Sequence, residues 1–193
     1  MEPQVIRIIR IILVLLALAL LIWFIIWLFS PKGSDTADTP VVEAPAQQEV
    51  FTTVRYVQDG EITAPEEHYS ITISVTNNSR TINVYNGYNT GPIRTKSYAN
   101  SQASYDAFYG ALKNEGYFTS RDNINNLDRT SYCPLGIRYS YQAGNDIAAP
   151  NQDTWSASCT AKAGTFAGNK ANVKTLFKNQ IPDYSEVTKG ITL

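Results

Sequence analysis

The 193-residue chain carries 16 basic and 17 acidic side chains, a formal net charge of −1. The length allows one ordinary domain plus extras, and a balance this close excludes a dedicated nucleic-acid binder, which would show a strong basic excess. One histidine and two cysteines are too few to cluster as zinc ligands, and neither a metal nor a cofactor is expected.

Ile11 to Phe29 reads IILVLLALALLIWFIIWLF, without a charge, proline or glycine. At about 1.5 Å per residue the run is about 28 Å long as a helix, which matches a bilayer core of about 30 Å. A cleaved signal peptide would have a shorter apolar region followed by small residues; this run ends on Trp27, Leu28 and Phe29. Residues 11–29 are therefore expected to form a transmembrane helix whose partner is the lipid bilayer. Arg7 and Arg10 stand before it, and after it Lys32 is followed by Asp35, Asp38, Glu43 and Glu49. The positive-inside rule then places residues 1–10 in the cytoplasm and the C-terminal part outside. Residues 30–50 contain Pro31, Pro40 and Pro45 among small polar and acidic residues, the composition of a disordered linker.

Residues 51–193 are enough for one core. Phe51–Val57 reads as a strand closed by the turn signal Gln58-Asp59-Gly60. Tyr69, Ile71, Ile73 and Val75 alternate strictly with polar residues, and after Thr76-Asn77-Asn78-Ser79 the alternation resumes with Ile82 and Val84. That is a half-buried hairpin. Ile93–Tyr98 is a further candidate strand. Ser101 suits an N-cap, Tyr105, Phe108 and Leu112 form one helical stripe, and Gly116 suits the position after a C-cap. Residues 119–131 have loop composition. Ile137–Gln142 and Thr154–Cys159 read as strands. Asn169 caps a last helix with Val173, Leu176, Phe177 and Ile181 on its core face, stopped by Pro182. The order is roughly β-β-β-α-β-β-α, which predicts an α+β domain: an antiparallel sheet with two helices packed on one face. The 12 tyrosines suit the polar surface of an extracellular domain.

Outside the cytoplasm, Cys133 and Cys159 are expected to form a disulfide. If they face each other across antiparallel strands, Leu135 stands opposite Ala157 and Ile137 opposite Trp155. The bond would then contribute about 3 kcal/mol in the chain-entropy model.

Candidate contact residues are few. Lys170, Lys174 and Lys178 recur every fourth residue on the last helix, as a basic stripe opposite the core face that could meet a cell-envelope polymer or lipid headgroups. Tyr88 and Asn89, in Asn86-Gly87-Tyr88-Asn89, could contact glycans or a protein partner. No P-loop, GxSxG, HExxH or SxxK pattern is present.

An internal N-terminus, an outer domain, one His, a Cys and a downstream Arg resemble sortase-type transpeptidases. In that family a Cys thiolate attacks a peptide carbonyl, a His is the acid/base and an Arg steadies the oxyanion. The resemblance would assign those roles to His68, Cys133 and Arg138. It stops at residue types. The family's Thr-Leu-x-Thr-Cys strand end is replaced by Arg129-Thr130-Ser131-Tyr132-Cys133 before Pro134, and Pro65-Glu66-Glu67-His68 reads as an exposed turn. No catalytic residue is assigned, and a sortase-like cysteine enzyme stands as the alternative to a non-catalytic binding or structural domain.

Three stretches resemble another group: Cys133-Pro134-Leu135-Gly136-Ile137-Arg138-Tyr139, Trp155-Ser156-Ala157-Ser158-Cys159 and Leu176 to Tyr184. They are similar to uncharacterised single-pass surface proteins of small-genome, Saccharibacteria-type bacteria. This resemblance covers the soluble domain and implies no activity.

Overall fold

The computed structural model describes residues 50–123, 126–160 and 162–193, together with Leu16 and Leu20. The expected anchor at 11–29 and the linker at 30–50 lie outside the described residues except for Leu16, Leu20 and Val50. Among the described residues no helix is long and apolar enough to cross a membrane. The chain divides into two units between Gln48 and Glu49, and the second unit, Glu49–Leu193, holds the sheet and the helices packed on it.

Six strands form one antiparallel sheet. They are β1 (Thr53–Asp59), β2 (Tyr69–Thr76), β3 (Ser79–Asn86), β4 (Pro92–Ala99), β5 (Arg138–Gly144) and β6 (Gln152–Ala157), in the spatial order β4-β3-β2-β1-β5-β6. Within residues 50–193 four strands precede the first helix, one more than the β-β-β-α-β-β-α order predicts. The first helix, α1 (Gln102–Asn114), leads from the edge strand β4 to β5, which pairs with β1. The helix α2 (Lys170–Asn179) and the single turn α3 (Tyr184–Val187) close the chain. At four residues, α3 is too short to leave a period in the sequence.

Local chemistry explains the helix ends. The Ser101 Oγ accepts the Ser104 N–H at 3.2 Å, and the Asn169 Oδ1 accepts that of Asn172 at 3.2 Å. Both are side-chain N-caps. At the end of α1, Gly116 adopts φ +72. Its N–H reaches the Lys113 carbonyl at 3.0 Å, and the Tyr117 N–H reaches Leu112 at 2.9 Å. This pair of bonds is a Schellman motif, which requires a residue tolerant of positive φ at that position.

One sheet face is apolar. Register aligns Tyr56 with Ile73 on one side and Tyr141 on the other, and Ile73 with Ile82. Tyr105, Phe108, Tyr109 and Leu112 of α1 and Val173 and Phe177 of α2 are buried in the same core. The Phe177 ring lies 5.3 Å from Tyr56 and meets Phe108 edge-on at 5.2 Å. Tyrosines dominate this core where composition suggested a polar surface: Tyr56, Tyr105, Tyr117 and Tyr141 are fully buried. A buried phenol needs a partner for its hydroxyl. Tyr105 donates to the Phe51 carbonyl at 2.6 Å, Tyr117 to Arg55 at 2.7 Å, and Tyr141 meets the Ser156 hydroxyl at 3.0 Å.

A second, smaller cluster lies at the β5–β6 end on the opposite face. It contains Cys133, Trp155, Ala157 and Ala163, with Leu127 and Tyr132 packed against it. The Cys133–Cys159 disulfide is present, with Cα atoms 5.8 Å apart, but the expected ladder around it is not. Arg138 stands opposite Ala157 and Tyr139 opposite Ser156. The cause is local. Cys133 has φ +59, and the Gly136 N–H returns to the Cys133 carbonyl at 3.0 Å. With Pro134 lacking an N–H, residues 133–136 form a turn and Leu135 is left exposed.

Candidate functional site

Beside the small apolar cluster the second sheet face is polar, and pairing of β1 with β5 gives it a cleft of about 530 Å³. Register sets Asp59 beside Arg138, Val57 beside Ser140 and Arg55 beside Gln142. These three rungs line the cleft, with Arg129 and Thr130 from the 127–135 loop and Ile62 and Tyr88 from the opposite rim.

Asp59 ties the site together. Its Oδ2 accepts from Arg138 Nε at 2.9 Å and Nη2 at 2.6 Å, and its Oδ1 lies 3.1 Å from His68 Nε2. Arg138 Nη2 also donates to the Gly60 carbonyl at 2.8 Å. The His68 Nδ1 lies 2.8 Å from the Glu61 carbonyl. Both ring nitrogens therefore face oxygen atoms, the Asp59 carboxylate on one side and the Glu61 carbonyl on the other. His68 is buried, at 3 % exposure, in contrast to the exposed turn that its charged neighbours suggest. Glu66 and Glu67 do point to solvent, while the His68 N–H returns to the Ala64 carbonyl at 3.0 Å and turns the imidazole inward.

On the far side, Arg129 Nη1 pairs with Asp153 Oδ2 at 2.8 Å, and its Nη2 donates to the Ser140 hydroxyl. The guanidiniums of Arg129 and Arg138 are thereby brought to neighbouring same-face positions of β5. Arg55 donates to the Ser74 hydroxyl at 3.3 Å, and burial pushes its guanidinium below its ordinary value. Three arginines and one carboxylate line the cleft, and with Asp153 paired to Arg129 beside it one positive charge is left in excess.

The structure brings His68 and Arg138 together, through Asp59. Cys133 of the same trio is bonded to Cys159, and no described cysteine is free. A disulfide sulfur is not a thiolate nucleophile. Tyr88 lies at the cleft rim, whereas Asn89 is exposed with φ +56, as turn chemistry allows for asparagine.

The lysine stripe lies elsewhere and is half-buried. Ala171, Asn172, Thr175 and Asn179 form the outward face of α2, whereas the lysines flank its core face. Lys170 Nζ donates to the Ala157 and Thr160 carbonyls at 3.3 and 3.5 Å. Lys170 and Lys174 border a cleft of about 330 Å³ with Tyr56 and Tyr139, and burial lowers both amines below their ordinary values. Lys178 Nζ stands 4.6 Å over the Tyr184 ring, a cation–π contact.

No protein-family model matches the chain, and neither a curated protein nor a solved structure matches it. The chemistry of the site therefore rests on its own residues. Among the described residues, no three of His, Cys, Asp or Glu are grouped as metal ligands would be. Asp59, Arg129 and Ser140 are cleft residues that the sequence reading passes over. Asp59 was legible only as part of the Gln58-Asp59-Gly60 turn signal, yet it is the last residue of β1.

Proposed function

We propose that the chain is a membrane-tethered extracytoplasmic domain that binds a cell-envelope polymer through the β1–β5 cleft and does no chemistry on it. The observation that carries this reading is the positively charged cleft itself, built on the paired strands β1 and β5. The charge-free run at 11–29 and the arginines before it support the tether and its direction. The Cys133–Cys159 bond suits an oxidising compartment. With Cys133 in that bond, the alternative of a sortase-like transpeptidase or hydrolase has no thiolate to start from.

The test uses the full chain in native membrane vesicles and in detergent. Protease added to right-side-out vesicles should remove residues 51–193 and spare the N-terminus. The detergent-solubilised chain should be retained on isolated envelope polymer, and Arg129→Gln should weaken that retention. Protection of the domain from protease would overturn the topology. Capture of a protein in place of polymer would overturn the ligand class.

A further inference from the structure

Arg138 is the most constrained charge in the cleft. Its side chain is 6 % exposed, and Nε and Nη2 are satisfied by Asp59 and Gly60. Nη1 is buried and has no hydrogen-bond partner among the described residues. An unpaired buried donor costs about 1–3 kcal/mol, and more when the group is charged. Such an orphan calls for an acceptor, and a charged donor takes a carboxylate best.

The surroundings narrow the choice. Arg129 is anchored at Ser140, two residues along the same face from Arg138. The two carboxylates that neutralise these arginines stand to either side, Asp59 on β1 and Asp153 on β6. Each of these guanidiniums is balanced by one carboxylate, and the positive charge left over in the cleft is that of Arg55, whose side chain donates to the neutral Ser74 hydroxyl. At the rim, the Tyr88 ring is covered on one face by His68 at 4.1 Å and is still 41 % exposed. A flat ring with one face backed and the rest open is a platform for the C–H face of a sugar. Ser140, Thr130 and Gln142 add hydroxyl and amide groups. The volume of about 530 Å³ falls in the usual range for small-ligand sites, about 300–1,000 Å³.

We infer that the cleft recognises an acidic sugar, with its carboxylate between Arg129 and Arg138 and its ring on Tyr88. This deepens the reading of the cleft as the polymer-binding surface and rests on it. Glucuronate, glucose and an N-acetylated dipeptide with a free C-terminus are titrated by calorimetry into the full chain in detergent. Glucuronate should bind saturably, at least ten-fold tighter than glucose or the dipeptide. Arg129→Gln, at a half-exposed position, should weaken it about ten-fold, and Tyr88→Ala should weaken it while leaving the carboxylate preference. Arg138→Lys keeps a cation beside Asp59, and it should fold and still lose most of the affinity. Equal affinity for glucuronate and glucose, tighter binding of the dipeptide, or glucuronate binding indifferent to Arg129→Gln would each overturn the inference. If neutral envelope polymer is retained in a cleft-dependent way while glucuronate does not bind, the inference fails and the polymer-binding reading stands. If nothing binds through the cleft, both fail.

Discussion

The Tyr88 ring lies on the His68 imidazole, with centroids 4.1 Å apart and planes 14° from parallel. The Tyr88 hydroxyl also holds the 61–67 connection, donating to the Thr63 carbonyl at 3.0 Å and accepting the Thr63 N–H at 3.2 Å. One side chain therefore closes the histidine and fixes the loop beside it. Tyr88→Phe should cost about 1 kcal/mol through the hydroxyl bonds. Tyr88→Ala should cost about 1 kcal/mol more through the stack. Urea unfolding of both variants separates the two contributions. A neutral Tyr88→Ala would show that the ring contact does not stabilise the fold.

The disulfide has a local task as well as a global one. It joins residues 26 apart in sequence and holds the 127–135 loop against Trp155. Reduction, or the double change Cys133→Ser with Cys159→Ser, should lower stability by about 3 kcal/mol. Amide exchange should then rise first in residues 127–137, with β1–β3 and α1 still protected. Uniform loss of protection across the sheet would contradict the division into two clusters.

Period-2 patterns marked most of the strands, and Ser101, Gly116 and Asn169 marked the helix ends, because those signals are local. The cleft was not legible. Asp59 and Arg138 are 79 residues apart and meet only because β5 pairs with β1 instead of with β4, its predecessor in the chain. Their charges carry no period that would announce the pairing. The disulfide followed from the count of two cysteines and an expected outer location, but its register did not, because a turn at Cys133–Gly136 replaces the expected strand end. The lysine stripe had the right spacing and the wrong environment: long stems can lie along apolar surface while the amines reach out.

Gly164 fixes how the 163–167 segment covers the outer edge of β6. It has φ +83, and a Cβ there would fall on the Trp155 carbonyl oxygen and 2.7 Å from the carbonyl carbon. The neighbouring Phe166 N–H donates to that carbonyl at 3.0 Å. Gly164→Ala therefore meets both backbone strain and a clash with another backbone. It should destabilise by more than about 2 kcal/mol, read as a fall in Tm. Gly110→Ala, where a Cβ would have nothing within 4 Å, is the control and should be neutral or stabilising, since alanine favours a helix interior. Similar Tm values for the two variants would remove the role assigned to Gly164.

The tyrosine core makes the domain sensitive to alkali. Burial raises the Tyr56 and Tyr117 hydroxyls well above their ordinary value, with neighbouring tyrosines adding to the effect, and it raises Tyr105 and Tyr141 as well. A raised native pKa means that the folded chain keeps protons that the unfolded chain releases near the ordinary tyrosine value of about 10. That stabilisation is complete below about pH 10 and is lost as pH rises from there toward the native values. The four buried hydroxyls should therefore stay silent in an absorbance titration of tyrosinate until the far-ultraviolet circular dichroism collapses, and then ionise together. Tyr117→Phe should move the alkaline midpoint upward, since it removes one such proton, even though losing the bonds to the Arg55 and Gln142 carbonyls lowers stability at neutral pH by about 1 kcal/mol. Gradual ionisation of every tyrosine with the dichroism unchanged would mean that these rings are open to solvent in the folded protein, and would overturn the packing described for the core.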